Sequence, residues 1–393
     1  MKPLAPVLFS MLLSSLLHAQ LTLEDSIFFQ NMYRSYVLHL PPAYDGNTAL
    51  PLVMGLHGGG PGDGLDLMEK TQFDELGDEE DFITLYPNGV FHDWADGRGV
   101  TDSEMAGIDD LGFLTALIDS LKQDYLIDPQ RIYVWGPSNG GMMTQRLACE
   151  ASQHFAAFAS VISSMPIPLD ASCSPTANSI SVLLMNGTED NWVPYEGGPL
   201  GPLTDGGSTI GTDNTINFWR EHNGCSTTFQ QTDFPDLDPD DNSTVTRFRY
   251  ADCNSGAEVV LYRVEGAGHT IPGMLFNTNP IFLLGYINYD ITASNEIWDF
   301  FSNHLITSNK ETTPTSKQIN IFPNPTKGLL YLETTEKEPL PPTVELFNSS
   351  AQRWTMPLLS TNATAGTIEL SHLPKGTYYL KAKGFALVKI IVL

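Results

Sequence analysis

Positive charge is scarce in this chain. Its 393 residues hold 20 Lys and Arg against 46 Asp and Glu, a net charge of −26. A surface that acidic repels phosphate backbones and anionic lipid, which argues against nucleic acid and anionic membranes as partners. The imbalance lies before Lys317, because the stretch from there onward carries 8 basic and 5 acidic side chains. Cysteine is scarce too. The four present, Cys149, Cys173, Cys225 and Cys253, form no C-x-x-C and no Cys/His pair, so no zinc site and no other metal is expected. Beyond the N-terminus no apolar run reaches membrane-spanning length, so no span is expected in the mature protein. No internal repeat is visible.

What is present begins with a leader. "MKPLAPVLFSMLLSSLLHAQ" has one Lys, an apolar run and then Ala19-Gln20. It reads as a signal peptide over residues 1–19. Export would carry the cysteines into an oxidising compartment. Their spacing suggests the disulfides Cys149–Cys173 and Cys225–Cys253, although the sequence alone permits other pairings.

Residues 20–306 alternate strand-like and helix-like runs. "LPLVMGLHGGG" is a buried strand ending in glycines, and "DDLGFLTALIDSLKQDY" spaces its apolar residues for a helix. "RIYVWG", "SISVLLMNG" and "AEVVLYRVEG" read as strands, "MMTQRLACEA" and "NEIWDFFSNHL" as helices. Such alternation predicts an α/β domain, a mostly parallel sheet with helices on both faces. Residues 307–317 are polar, rich in Thr, Ser and Pro, and read as a linker. Residues 318–393 break into short strands split by turn residues, which predicts a small all-β sandwich.

The stretch "IYVWGPSNGGMM" carries the chemistry. A β-rich run stops at Ser138, which sits between Gly136 and Gly140, and a helix-like run follows at once. A strand–turn–helix of this kind needs small neighbours and lifts the hydroxyl off the sheet at a helix N-terminus. Ser138 is therefore the candidate nucleophile. It needs a base, and the base needs an orienting acid. Asp190 lies just past "SISVLLMNG", with Glu189, Asp205 and Asp213 as less well placed carboxylates. Of nine histidines, His269 lies just past "AEVVLYRVEG" in a loop of small residues. Strand C-termini converge in such sheets, so these residues form one expected site. The oxyanion donors expected are the N–H of Asn139 and those of Gly58 and Gly59 in "LHGGG". His57, Trp94, Trp192 and Tyr195 are candidate substrate contacts, the aromatics by stacking. "DFPDLDPDDNST" clusters Asp236, Asp238, Asp240 and Asp241; it lacks the central Gly and final Glu of a calcium loop and reads as an acidic surface loop.

These residues resemble a known group: the secreted poly(3-hydroxybutyrate) depolymerase-like esterases, related to the feruloyl and acetylxylan esterases of carbohydrate esterase family one. "LHGGG", "YPNG", "IDPQRIYVWGPSNGGMM", "NGTEDNWVPYEGG" and "VVLYRVEGAGHTIPG" carry the resemblance. It implies an α/β-hydrolase fold, a Ser138–His269–Asp190 triad, no cofactor, and a polymeric or oligomeric ester substrate. That substrate is a polyester or an acylated polysaccharide. Pro137 replaces the aliphatic residue usual before the serine, and Ile271 stands where the related "GHTWPG" has Trp. The C-terminal "FPNPTKG", "LPKGTYYLK" and "KIIVL" resemble the sorting domain of the type IX secretion system. That implies export through the periplasm and outer membrane by this machinery, to the cell surface or medium. The competing readings are an inactive binding or adhesion protein on a hydrolase scaffold, which would lack a triad member, and a serine peptidase, which an amide substrate would reveal.

Overall fold

A computed structural model describes residues 21–393 apart from 176–178, 203, 275–280, 307–316, 318, 335–337, 349–351, 384 and 386. The leader expected at 1–19, and the linker expected at 307–317 apart from Lys317, lie outside the described residues.

The chain opens with a hairpin of β1 (Leu21–Phe29) and β2 (Met32–Leu40). Then come β3 (Leu50–Gly55), α1 (Gly64–Thr71), α2 (Phe73–Glu80), β4 (Ile83–Pro87), α3 (Asp102–Met105) and α4 (Asp110–Asp124). The central unit is β5 (Ile127–Pro137), α5 (Asn139–Glu150), β6 (Ala157–Val161), α6 (Ile167–Ser172) and β7 (Ser181–Gly187). A small ribbon of β8 (Gly198–Pro199) and β9 (Ser208–Thr209) precedes α7 (Thr212–His222). The domain ends with β10 (Gln230–Asp233), β11 (Thr244–Tyr250), β12 (Val259–Glu265), α8 (Ile281–Leu284) and α9 (Ala293–Phe301).

Ten strands form one sheet in the order β1-β2-β4-β3-β5-β6-β7-β12-β11-β10. The run from β4 to β12 is parallel. Both flanks are antiparallel: β1–β2 and β10–β11–β12 are joined in sequence without a helical crossover, while β2 adds antiparallel to β4. Strands β3 and β7 are buried along their whole length, which is why they read as unbroken apolar runs. Their side chains alternate between two cores. Leu52, Met54, Val182 and Leu184 meet Phe113, Leu117 and Leu121 of α4, Leu147 of α5 and Trp219 of α7. Val53, Leu183 and Met185 meet Leu67 of α1, Phe73 of α2 and Ile297 and Phe301 of α9. Each such side chain contributes about 1.5–3 kcal/mol when fully buried, so the two cores fix the sheet's register.

The cysteines are joined as Cys149–Cys173 and Cys225–Cys253. The C-terminal part holds β13 (Ile319–Phe322), β14 (Leu329–Thr334), β15 (Thr343–Asn348), β16 (Arg353–Pro357), β17 (Leu359–Asn362), β18 (Ala365–Glu369), β19 (Gly376–Lys381) and β20 (Val388–Val392). They form two four-stranded sheets around Leu330, Leu346, Ile368, Leu380 and Ile390. Among the described residues no helix is long and apolar enough to cross a membrane.

Candidate active site

The parallel strands end together, and four of their following loops build one cleft. At the end of β5, Ser138 takes φ 54° and ψ −121°, a strained backbone for a non-glycine residue. The glycines around it are required by space. A Cβ on Gly136 would lie 2.6 Å from the backbone of Gly140, and one on Gly140 would press on the carbonyl oxygens of Leu56 and His57. The turn is thus clamped against the loop that follows β3. Ser138 N–H donates to Val161 O, and Met142 N–H to Ser138 O, which ties the turn to β6 and starts α5.

The acid comes from the end of β7. Asp190 Oδ1 accepts N–H bonds from Trp192 and Val193, both at 2.8 Å. Its Oδ2 accepts His269 Nδ1–H at 2.7 Å. The loops after β7 and β12 are stitched together, since Glu189 N–H donates to Ala267 O and Thr188 N–H to Val264 O. His269 is held from behind by its own N–H, which donates to Leu284 O at 2.6 Å. With Nδ1 protonated toward Asp190, Nε2 is an acceptor, and Ser138 Oγ–H donates to it at 3.0 Å. Trp192 stacks on the His269 ring at 5.5 Å between centroids and 7° between planes, and its Nε1–H donates to Leu283 O. Carboxylate, imidazole and hydroxyl therefore stand in one hydrogen-bonded line, the arrangement in which imidazole removes a serine proton and keeps its own resulting charge compensated.

Gly58 and Gly59 lie over this line. A Cβ on Gly58 would come within 3.6 Å of Pro137 O and 3.7 Å of Ser138 Cβ. Among the described residues, the N–H groups of Asn139, Gly58 and Gly59 have no hydrogen-bond acceptor, so they are free to donate to a bound group. The cleft holds about 290 Å³ and is walled by apolar side chains, Leu67, Ile162, Trp192, Ile271, Met274 and Leu284. Ile162 sits at φ 45°, an outlier for a β-branched residue, and faces this cleft.

Three expected substrate contacts are placed differently. Trp94 is fully buried behind the cleft. Its Nε1–H donates to His57 O, and its N–H to Asn139 Oδ1, so it supports the loop from beneath. His57 borders the cleft but is 2% exposed. Its Nδ1–H donates to Gly58 O at 2.7 Å, and its Nε2 accepts Gly89 N–H at 2.9 Å. Burial holds its pKa below the usual histidine range. It is a neutral brace for the Gly58–Gly59 peptide, with no nitrogen left for substrate. Tyr195 does not line the cleft; its hydroxyl donates to Asp213 Oδ1 at 3.0 Å in a neighbouring groove. Of the four, Trp192 alone presents its side chain to the catalytic cleft with a partly exposed ring.

Sequence reasoning missed a buried network behind Ser138. Asn139 Nδ2–H donates to Asp96 Oδ2 at 2.6 Å, and Asp96 pairs with Arg98 at 2.8 Å. Burial pushes the Asp96 carboxyl up to about 6, against the pull of Arg98. The only sequence signal was four polar residues, His92, Asp93, Asp96 and Arg98, close around Trp94 in "HDWADGR". In the acidic loop Asp236 and Asp240 are exposed, as expected of a surface loop, whereas Asp241 is buried. Asp241 accepts from Ser243 N–H, Ser243 Oγ–H and Tyr289 N–H. Among the described residues no three His, Cys, Asp or Glu side chains group as metal ligands.

Comparison with known proteins bears on both parts of the chain. The family described as Secretion system C-terminal sorting domain matches residues 320–392, and the Prolyl oligopeptidase family matches residues 104–167, which include Ser138. NocK from Nocardia uniformis subsp. tsuyamanensis, named as an esterase, is 31% identical over 278 residues, covering 68% of this chain and 78% of NocK. Feruloyl esterase B of Piromyces equi is 26% identical over 246 residues, covering 60% of this chain and 42% of that protein. The bifunctional acetylxylan esterase/xylanase XynS20E of Neocallimastix patriciarum is 24% identical over 221 residues, covering 56% of this chain and 29% of that protein. The chain thus spans under half the length of these last two relatives.

Proposed function

The chain belongs to the same esterase family as NocK, and from that premise we propose that it is a feruloyl or acetylxylan type of esterase in which Ser138, His269 and Asp190 cleave acyl esters carried on polysaccharide. It is a serine carboxylic ester hydrolase, exported by way of its C-terminal sorting domain to the cell surface or medium. The observation that carries the proposal is the line from Asp190 Oδ2 through His269 to Ser138 Oγ, with contacts of 2.7 and 3.0 Å.

In this reading His269 Nε2 takes the Ser138 proton as Oγ attacks the ester carbonyl. The imidazolium formed is compensated by Asp190, and the oxyanion is met by the N–H groups of Asn139 and of Gly58 or Gly59. His269 then returns the proton to the leaving sugar alcohol. Water, deprotonated in its turn by His269, attacks the acyl-enzyme and frees the acid. The apolar walls, Ile271 and Met274 among them, suit the acyl group. The names of the relatives favour acylated polysaccharide over polyester.

The test is hydrolysis of p-nitrophenyl acetate and butyrate, methyl ferulate, acetylated xylan and a hydroxybutyrate oligomer, with one amide analogue. The expected result is turnover of feruloyl or acetyl esters that falls at least about 10⁴-fold in Ser138→Ala. Turnover that survives the substitution would overturn the role of Ser138. Faster cleavage of the hydroxybutyrate oligomer or of the amide would overturn the substrate class.

A further inference from the structure

On the face of the sheet covered by α4, α5 and α7, helix cover ends at α7, which packs on β7 and β12. The sheet itself continues through β11 to β10. The uncovered face of β11 forms a groove of about 300 Å³ beside α7. One wall carries Tyr195, Asp213 and Asn217; the other carries Phe229, Tyr250 and Arg263.

The groove has two kinds of surface. Phe229 is 48% exposed, yet its ring packs against two others. Phe248 and Tyr250 meet it edge-on at 5.3 and 5.5 Å, with interplanar angles of 78° and 66°. The Arg220 guanidinium lies 5.0 Å over Tyr250 and holds that ring in place. A half-exposed ring packed in T-shaped contact with two neighbouring rings is a ready platform for stacking. Polar groups stand around it. Asp213 spends one carboxylate oxygen on Tyr195, and Asn217 accepts from Arg220 through its carbonyl. The second Asp213 oxygen and the Asn217 NH₂ have no partner among the described residues.

We propose that this groove binds the uncharged main chain of the polysaccharide whose ester is cleaved at Ser138. A pyranose offers a flat C–H face to an aromatic platform and hydroxyls to carboxylate and amide groups at its rim. The net charge of −26 disfavours an anionic polymer. The groove is also joined to the cleft. Trp192, stacked on His269, and Tyr195, in the groove wall, lie on one loop three residues apart. Their backbones are separated by about 11 Å at most. Tyr250 pairs with Val259 at the start of β12, whereas Arg263 near its end lies over Tyr195, so a glycan chain held along β11 runs from the Phe229 end toward the catalytic loops. The inference rests on the esterase reading above, and binding can be measured apart from catalysis.

The experiment uses the full mature chain carrying Ser138→Ala and a de-esterified soluble xylan, with affinity electrophoresis as the readout. Retardation is expected, and it should be lost when Phe229→Ala or Asn217→Ala is added. In the active protein, Phe229→Ala should lower the ratio of kcat/KM on feruloylated xylan to kcat/KM on methyl ferulate by about fivefold, mainly through KM. Because the ratio is internal to each variant, a partly unfolded preparation does not move it. An unchanged ratio, or xylan retardation that persists without Phe229, overturns the groove. Xylan binding without turnover of any ester would instead overturn the esterase reading and leave the groove standing.

Discussion

Asp190 is one of four carboxylates that the sequence offered for the acid, and its choice was positional: it follows the strand at the distance at which a loop can turn back toward the nucleophile. Its neighbours find other work. Asp213 takes the Tyr195 hydroxyl in the adjoining groove. Asp96, unremarked in the sequence, is the carboxylate that supports Asn139. Its raised folded value, about 6, sets a testable sign. An unfolded Asp titrates near about 4, so between about 4 and 6 the folded chain holds the extra proton. Asp96 therefore stabilises most at the acid end, and that contribution falls as pH rises through this window. In Asp96→Asn the group cannot titrate. The Tm of the parent minus that of the variant should fall as pH is raised from 4 to 6.5 and be level above it. A difference that rises with pH would mean that the Arg98 ion pair dominates and holds the carboxyl low.

At the scale of elements, the site is a meeting of loops from β3, β5, β7 and β12. Its tightest joint is that between the turn at Ser138 and the loop at His57. Gly140 is legible in the sequence as one of the small residues a tight turn needs. Its second reason is tertiary: a Cβ there would press on the carbonyls of Leu56 and His57, which are backbone and cannot rotate away. Gly140→Ala should therefore displace the Gly58–Gly59 donors. We expect a loss of about 2–3 kcal/mol of stability, as for overpacking elsewhere, and a fall in kcat of at least about tenfold with little change in KM. Denaturant unfolding and steady-state kinetics would check both. Loss of stability with kcat intact would separate the joint from oxyanion binding.

For the whole molecule, the sorting domain packs away from the catalytic loops. Leu387 N–H donates to Asp124 O, Lys381 Nζ lies 3.2 Å from Asp25 and 3.4 Å from Asp124, and Phe347, Tyr379 and Leu387 join the core beneath α4. The Asp45–Gly46 turn and Asp124 precede β3 and β5, at the strand ends opposite the cleft. Removal of residues 318–393 should leave kcat/KM on methyl ferulate within about twofold. The uncovered apolar side chains should lower Tm by about 5 °C, the shift that about 2 kcal/mol makes in a domain of this size. A tenfold loss of activity would instead make the sorting domain part of the working enzyme.

The sequence by itself determined the α/β domain and β-sandwich, the strand–turn–helix at Ser138, the loop positions of Asp190 and His269, and a plausible cysteine pairing. These are local matters: apolar period, turn chemistry and residues placed just past strand ends, each set within about ten residues. Tertiary structure alone decided the antiparallel flanks, because strand order is a long-range property with no local trace. It alone separated the four expected substrate contacts. Trp94, Trp192 and Tyr195 are equally aromatic and equally close to the motifs, yet one lies beneath the oxyanion loop, one on His269 and one in the groove beside β11. Burial and hydrogen-bond partners arise only when distant segments pack, and they put those residues in three different surroundings.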